Sequence, residues 1–169
     1  MSLLKIYTYP DKVLRKATQP VETFDDTLKK LTEDMAETMY DAPGIGLAAP
    51  QVGKSLKLIV VDTSQGTSPE KDYLVMANPE IIAHQGHQID EEGCLSVPEL
   101  ISKVQRYKKI TVTYQDIEGN NKQMEVEDRF AVVLQHEIDH LNGILFLDHL
   151  SSLKRNLYKK KRKKMLHNA

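Results

Sequence analysis

Hydrophobic spacing predicts one amphipathic helix in the first quarter of the chain. Pro10 and Pro20 punctuate the opening segment, which is typical of an arm that wraps over a surface, with a short helical turn over 11–16. Apolar residues then recur at intervals of three and four over 25–40, the period of a helix with one buried face. These residues are Leu28, Leu31, Met35 and Met39, and we expect the methionines to be core residues.

The middle of the chain changes to a strand-like pattern. Short apolar runs cover 56–61, 73–77 and 80–84, and clusters of Gly, Ser, Pro and Asn separate them. A clearer pair follows at 104–115 and 122–127, on either side of a turn that contains Gly and Asn. This spacing predicts a β-hairpin that leads into the next helix.

Two more helices are predicted towards the C-terminal end. Apolar residues on both sides of 136–140 predict a buried helix, and a basic helix is expected over 151–169. We therefore expect an α+β fold in a single domain over 1–169. Its β-sheets, mostly antiparallel or mixed, pack around the helix of 136–140, with one helix N-terminal and one C-terminal to them.

Polar residues and one glycine mark the expected helix ends. Thr23 and Asp26 give a capping-box-like start to the first helix. Asp128 is suited to cap the second helix and Gly143 to close it. The last helix is expected to start at Ser151 or Ser152.

Composition narrows the class of protein. The chain has 169 residues, of which 40% are hydrophobic and 28% charged, as in an ordinary globular domain. No apolar run approaches the roughly 20 residues that cross a bilayer, and the N-terminus lacks the apolar core of a signal peptide. The single cysteine, Cys94, is comfortable in a reducing compartment. We expect a cytoplasmic protein with no membrane partner and no specific DNA target.

Charge is distributed unevenly along the chain. Of the 23 Lys and Arg residues, eight lie from Lys154 onward, where there is no Asp or Glu. The first 153 residues therefore carry 15 basic against 24 acidic groups. The basic run is either a solvated face or an electrostatic contact with a phosphate-rich partner.

The pattern His-Glu-Ile-Asp-His at 136–140 carries the clearest chemistry. Residues four apart on a helix advance about 400°, so His136 and His140 lie one turn apart on nearly the same face and can reach one ion. Glu137 lies beside them and can reach a water on that ion without binding the metal. The pattern indicates a metal-dependent hydrolase.

A third ligand is needed, since catalytic sites of this kind use three protein donors and leave one position for water. The available donors are Cys94, His84, His87, His149 or a carboxylate. A metzincin protease would have a third histidine at position 146, which is Phe146 here. Cys94 is preferred, because it follows three acidic residues and a glycine in Asp90-Glu91-Glu92-Gly93, whereas a structural cysteine usually lies in an apolar run.

Three blocks together resemble the peptide deformylases of the bacterial type. They are Gly44-Ile45-Gly46-Leu47-Ala48-Ala49-Pro50-Gln51, Glu92-Gly93-Cys94-Leu95-Ser96 and Gln135-His136-Glu137-Ile138-Asp139-His140-Leu141. The resemblance covers nearly the whole chain, with the blocks in the family's order and spacing. It implies an enzyme that removes the formyl group from the initiator methionine of new polypeptides and releases formate by cleaving an amide C–N bond.

The resemblance also implies a role for each matching residue. Cys94, His136 and His140 match the family's metal ligands, and Glu137 matches its catalytic carboxylate. The metal-bound water attacks the formyl carbon while Glu137 acts as general base and then as general acid. The side chain of Gln51 and the backbone N–H of Leu95 stabilise the oxyanion.

Substrate contacts follow from the same match. Ile45 and Gly46 correspond to the strand edge that binds the peptide, so that formyl fits better than acetyl. The methionine side chain is expected to enter an apolar pocket near His136, formed by Gly44, Val132 and Val133. Two positions depart from the family: many bacterial members carry Arg at the position of Ile101, and Arg129 stands where an apolar pocket residue is expected.

The surrounding charged residues are expected to support the ligands. Glu92 is suited to accept the free ring N–H of His136 and so to orient it. Asp139 and Arg106 are expected either to form a supporting ion pair or to be solvated independently.

The cofactor is expected to be one divalent metal ion per chain. A thiolate and two imidazoles suit Fe(II), Zn(II), Ni(II) and Co(II). The resemblance implies Fe(II) as the native ion and N-formylmethionyl nascent peptides as substrates, with ribosome contact through the basic C-terminal helix.

Two rival hypotheses remain open at this stage. A zinc endopeptidase would share His136, Glu137 and His140 but would not need Cys94. A metal-stabilised RNA- or ribosome-binding protein would depend on the basic tail and not on Glu137.

Overall fold

The expected α+β architecture is confirmed. The computed structural model describes residues 2–168. A five-stranded antiparallel sheet has the strand order β1-β2-β3-β4-β5, so every strand pairs with its neighbour in sequence. The strands are β1 (Gly46–Ala48), β2 (Leu58–Asp62), β3 (Tyr73–Cys94), β4 (Val97–Gln115) and β5 (Asn121–Glu127).

Three α-helices and three short 3-10 turns complete the chain. The helices are α1 (Asp26–Asp41), α2 (Asp128–Leu141) and α3 (Ser152–His167), and the turns cover Lys12–Arg15, Ala49–Val52 and Phe146–His149. The first turn lies within the predicted 11–16 segment, and α1 matches the predicted 25–40 helix to within one residue. Within residues 2–168, no helix is long and apolar enough to cross a membrane.

The start of α1 differs from the predicted cap. Asp25, rather than Thr23 or Asp26, is the N-cap, and its carboxylate accepts a hydrogen bond from the Leu28 N–H at 3.0 Å. Asp25 is extended, which lets its side chain fold back over the first turn. Met35 and Met39 are fully buried, as the helical spacing predicts.

One prediction about the strands was wrong. The runs 73–77 and 80–84 are not separate strands but the beginning of a single strand, β3, that extends to Cys94. Asn78 has φ +51° at a shift in register, and its side chain bonds to the backbone of Val21 and to Gln115. The ladder continues beyond this bulge, so the Asn-Pro pair interrupts the pattern without ending the strand.

The strands β3 and β4 form a long ribbon that ends in a tight turn at Leu95 and Ser96. β4 starts at Val97, seven positions before the predicted 104, whereas the hairpin of β4 and β5 is confirmed. The middle of β3 is exposed and polar, which hides its strand pattern from a hydrophobicity reading. The ribbon carries Cys94 to the centre of the molecule.

Helix α2 packs across the sheet, and most of its residues are buried. Its N-cap is Glu127, not the predicted Asp128, which is the first helical residue and forms an ion pair with Lys108. Gly143 follows the helix with φ +72° and donates to the His140 carbonyl, the C-terminal role predicted for it.

Helix α3 is capped at its start, and side chains further along it bond to the rest of the molecule. Ser151 caps it, as predicted, by accepting from the Lys154 N–H at 3.2 Å. The Tyr158 hydroxyl donates to the Pro98 carbonyl at 2.9 Å. Arg162 is buried and donates to Tyr9 O and Thr8 Oγ1, each at 2.8 Å, so this member of the basic run is structural.

Candidate metal centre

The three predicted metal ligands lie together at the meeting point of two elements. One helical turn separates His136 from His140 on α2, and Cys94 is the last residue of β3. Their donor atoms all lie within 4.8 Å of one another, and Cys94 Sγ is 3.3 Å from His140 Nε2. His140 is almost completely buried and His136 is buried, whereas Cys94 is only partly buried.

A buried carboxylate orients the first histidine. Glu92 Oε1 lies 2.9 Å from His136 Nδ1, the contact expected from the sequence. Because Nδ1 is bonded to Glu92, the other ring nitrogen, Nε2, is the one left for a metal. Glu92 and Cys94 are two residues apart on β3, so their side chains lie on the same face of the strand.

Arg106 lies between Glu92 and Asp139, in the ion-pair arrangement considered from the sequence. Its Nε and Nη2 donate to the two oxygens of Glu92 at 2.7 and 2.8 Å, and its Nη1 donates to Asp139 Oδ2 at 2.6 Å. Burial raises the pKa of the Glu92 carboxyl, but Arg106 and His136 outweigh it and bring that pKa down to about 2. Glu92 therefore stays ionised and holds His136 in place.

The other histidines lie outside the donor cluster. His149 Nε2 is 2.9 Å from Asp139 Oδ2, at the outer end of the chain of contacts that runs through Arg106. His84 stacks on Tyr107 with ring centroids 3.9 Å apart, and His87 lies beside the same ring. Among residues 2–168, Cys94, His136 and His140 form the one group with the spacing of a metal site.

Glu137 occupies a tight, buried position next to the cluster. Its side chain is buried, and Oε1 has no hydrogen-bond partner within the described residues. A Cβ atom at Gly46 would lie 2.5 Å from Glu137 Oε2, so only glycine leaves room for the carboxylate against β1. Burial is the largest of the causes that raise the pKa of Glu137 to about 7. A carboxyl with this pKa can accept and release a proton near neutral pH.

Gln51 is held with its amide N–H groups directed towards the cluster. Its Oε1 accepts from the Ala48 N–H at 3.0 Å, which fixes the orientation of the amide. Its Nε2 lies 3.0 Å from Ser96 Oγ and 3.6 Å from Cys94 Sγ. Leu95 follows Cys94 in the turn of the ribbon and lines the same cavity.

These groups face a cavity of about 700 Å³. Gly44, Ile45 and Gly46 form one wall and the α2 residues His136 and Glu137 form another. The remaining lining residues come from the loop after α1, the Ala49–Val52 turn, the end of β3, the ribbon turn, the start of β4 and α3; they are Pro43, Gln51, Gly93, Cys94, Leu95, Val97, Glu99, Leu100, Ile101 and Lys161.

Not every predicted substrate contact reaches this cavity. Val132 and Val133 are buried in α2, one turn before His136, and do not line its wall. Ile101 lies at the rim with 73% of its surface exposed. Arg129 is outside the cavity, with its Nη1 3.6 Å from Asp90 Oδ2.

Some residues of the site escaped prediction. Ser96 is completely buried and accepts from the Gln51 amide, while Glu99 and Lys161 line the cavity from the β4 side and from α3. Ser96 lies only two residues from Cys94 in the same turn, which is the signal that could have found it. Lys161 has no such signal, because its place depends on how α3 docks.

The donor set fits a divalent cation. Burial lowers the pKa of His140 well below its usual value, so this ring is neutral and its nitrogen can bind a metal. Burial also opposes the charging of His136, yet Cys94, Glu137 and Glu92 raise its pKa well above the usual value. The cluster thus favours positive charge at its centre, and one thiolate with two imidazoles suits Fe(II), Zn(II), Ni(II) or Co(II).

Comparison with known proteins identifies the family. The model of the family described as "Polypeptide deformylase" matches residues 3–156. The peptide deformylase of Desulfotalea psychrophila is 71% identical over 164 residues, which cover 97% of each chain. The crystal structure of a peptide deformylase from Legionella pneumophila is 47% identical and superposes with a TM-score of 0.90 over 98% of this chain and 96% of that one. A peptide deformylase from Ehrlichia chaffeensis, solved in complex with actinonin, is 40% identical, with a TM-score of 0.90 and 98% of each chain covered. The chain therefore belongs to the polypeptide deformylase family, whose metal-dependent members remove the N-formyl group from nascent peptides.

Proposed function

We propose that Cys94, His136 and His140 hold one divalent cation and that Glu137 moves the proton in the deformylation reaction. The observation that carries this assignment is the Glu137 carboxyl, which is buried beside the three donors and whose Oε1 has no hydrogen-bond partner among residues 2–168. The Nε2 atoms of both imidazoles and the Sγ atom of Cys94 are the ligand atoms in this proposal.

Glu137 has the protonation chemistry that amide hydrolysis requires. A cation bound to the three donors supplies a water of lowered pKa and polarises the formyl oxygen. Glu137 accepts a proton from the attacking water as its oxygen bonds to the formyl carbon. It then delivers that proton to the amide nitrogen as the C–N bond breaks, which gives formate and the free amine.

Gln51 and Leu95 are proposed to stabilise the negative charge that develops on the formyl oxygen. The Gln51 Nε2 group points at the donor cluster, and its orientation is fixed through Ala48 and Ser96. The Leu95 N–H is the second donor in this proposal. Donors held in advance of the reaction are worth more than donors that must reorient.

The peptide is proposed to pair with the edge of the sheet. β1 is the terminal strand in the order of the sheet, so one of its sides is open to an added strand. Ile45 and Gly46 would bond the peptide backbone, while the methionine side chain lies against Gly44 and His136. Val132 and Val133 would support that pocket from inside α2.

We propose Fe(II) as the native ion. The donor set accepts Zn(II), Ni(II) and Co(II) as well, so spacing alone does not select among them. Protein loaded with Fe(II) under anaerobic conditions is expected to turn over faster than aerobic, zinc-loaded protein. Equal rates would contradict the choice of iron.

The central experiment measures formate released from a formyl-methionyl tripeptide. The wild-type protein is expected to release formate, and Glu137→Ala to lose about 10²-fold to 10⁴-fold in kcat while keeping its metal. Cys94→Ser is expected to lose the metal. If Cys94→Ser kept its metal and cleaved internal peptide bonds, a zinc endopeptidase would be the better assignment.

We also propose that α3 brings the enzyme to its nascent substrates at the ribosome in the cytoplasm. In the C-terminal half of α3, four lysines are exposed and have no side-chain hydrogen bond within the described residues: Lys159, Lys160, Lys163 and Lys164. Reversing their charge tests this contact better than truncation, since truncation would also remove Tyr158 and Arg162. Ribosome binding is expected to weaken steeply with salt and with these substitutions, and binding that does not depend on salt would contradict it.

A further inference from the structure

A second groove opens beside the catalytic cavity, between the start of β4 and helix α3. It has a volume of about 290 Å³. Glu99, Leu100, Ile101 and Lys161 line both the groove and the cavity. The two spaces are therefore adjacent along these four residues, and Ile101, at the rim of the cavity, also flanks the groove.

Hydrogen bonds from α3 fix the shape of the β4 segment that lines both spaces. The Tyr158 hydroxyl donates to the Pro98 carbonyl at 2.9 Å, and Lys161 Nζ donates to the Glu99 carbonyl at 3.1 Å. Glu99 adopts φ +62°, a left-handed conformation that is uncommon for a residue other than glycine. Two side chains of α3 thus hold a kinked segment of β4 in place, so the groove is a built feature of the fold.

Apolar side chains flank the groove although they face solvent. Ile101 is 73% exposed and Leu157 is 58% exposed, one on each side. Lys154 and Lys161 also line it, against the single carboxylate of Glu99. An occupant with apolar and acidic side chains would cover the exposed carbon surface and meet a net positive charge.

We propose that this groove binds the part of the substrate polypeptide that follows the residues held in the catalytic cavity. The occupant follows from this adjacency, because a polypeptide whose formylated end lies at Glu137 must leave the cavity across its rim, and the rim at Ile101 borders the groove. The groove then gives the enzyme a preference for apolar and acidic residues downstream of the first few and a bias against Lys and Arg. This proposal rests on the function proposed above.

The test compares substrates of two lengths. The short one is a formyl-methionyl tripeptide, and the long ones are nonapeptides that begin with the same three residues and continue with Leu and Glu or with Ser and Lys. The Leu and Glu nonapeptide is expected to have about tenfold higher kcat/KM than the tripeptide, the size expected for partial burial of one or two apolar side chains. The Ser and Lys nonapeptide is expected to show no gain.

Variants on one helix separate the groove from a general effect of α3. Leu157→Ser is expected to lower the ratio of nonapeptide to tripeptide kcat/KM by about fivefold or more. Leu153→Ser is the matched control, since Leu153 is 69% exposed on the same helix but does not line the groove. Lys154→Glu should reduce the advantage of the acidic nonapeptide, whereas Lys160→Glu, outside the groove, should not.

The outcomes distinguish the groove from the activity itself. If no peptide released formate, the proposed function would be wrong, and this inference would lose its basis. Formate release that depends on Glu137, with equal kcat/KM for short and long peptides or with Leu157→Ser and Leu153→Ser behaving alike, would overturn the groove alone. Because both leucines are exposed, thermal unfolding of the two variants should match and exclude misfolding as the cause.

Discussion

The tight contact between Gly46 and Glu137 predicts that one added methyl group disables the site. A Cβ atom on residue 46 would lie 2.5 Å from Glu137 Oε2 and 3.0 Å from its Cδ and Cγ atoms. Ordinary contacts between such atoms need about 3.5 Å, so the carboxyl must move by about 1 Å in Gly46→Ala. Because Glu137 lines the cavity, the carboxyl can yield into that space, and any such shift moves it from its position beside the donors.

The magnitude follows from the role proposed for Glu137. General acid and base catalysis contributes about 10²-fold to 10⁴-fold, and a displacement of about 1 Å can cost about 10²-fold by itself. We therefore expect Gly46→Ala to lower kcat by at least about 10²-fold, which corresponds to about 3 kcal/mol of transition-state stabilisation. Metal content should be unchanged, since Gly46 contacts none of the three donors.

Formate release from a formyl-methionyl tripeptide measures this loss, with kcat and KM determined separately. Gly93→Ala is the matched control, because its added Cβ would meet nothing closer than 3.7 Å in the same cavity. Its loss is expected to be far smaller than that of Gly46→Ala.

A double-mutant cycle shows whether the effect acts through Glu137. If it does, adding Gly46→Ala to Glu137→Ala should cost almost nothing further. A loss of the same size in both backgrounds would mean that Gly46 acts on the substrate instead. Retention of wild-type kcat by Gly46→Ala would refute the contact as a constraint on catalysis.

Three further predictions concern charge and hydrogen bonding in the site. Glu137, with its pKa raised to about 7, keeps its proton in the folded state at pH values where the unfolded chain has lost it. The metal-free protein should therefore lose about 3 kcal/mol of stability relative to Glu137→Gln as the pH rises from 4.5 to 7. Urea unfolding at each pH measures this difference, and the same pH dependence of stability in both proteins would contradict it. Arg106→Met leaves Glu92 buried without its partner and should lower the free energy of unfolding by about 3–5 kcal/mol. Lys109→Met, which breaks an exposed pair with Glu125, should lower it by less than about 1 kcal/mol in the same denaturation assay. Gln51→Leu should lower kcat by about 10²-fold to 10³-fold with the metal retained, and a change confined to KM would argue against a role on the oxyanion.

Short-range chemistry made most of the site predictable from sequence. The spacing of His136 and His140 follows directly from helical geometry, and Cys94 and Glu92 share a strand face because they are two residues apart. The contact between Cys94 and the helix that begins 34 residues later, with His136 42 residues away, is not encoded by a local pattern. Cys94 was preferred as the third ligand because of its acidic and glycine-containing surroundings, and the resemblance of the three blocks then matched it to the family's metal ligands.

The fold was predictable where one face of a helix or strand is buried and the other is exposed. The prediction failed where a strand lacks this difference between its faces. Helix α1 and the hairpin of β4 and β5 carry regular apolar spacing, and both lie close to the predicted ranges. The exposed half of β3 has no such pattern, so its continuity as one strand was missed. Lys161 and Glu99 were missed for a different reason: they reach the cavity through the docking of α3, which no local pattern encodes.

The pairing of β3 with β4 also indicates one way in which the protein can misfold. Side chains on a strand alternate between two faces, so a slip of one position in the pairing would turn Cys94 away from the helix while new backbone hydrogen bonds replace those that are lost. Such a misaligned chain would keep its secondary structure, but the Cys94 thiolate would no longer lie beside the two histidines. The irregular pairings near Asn78 and Ala83 resist sliding, since a bulge fits only one alignment. Inactive protein that looks folded by circular dichroism but binds no metal is therefore an expected product of faulty refolding, and metal content is the better measure of a correctly assembled preparation.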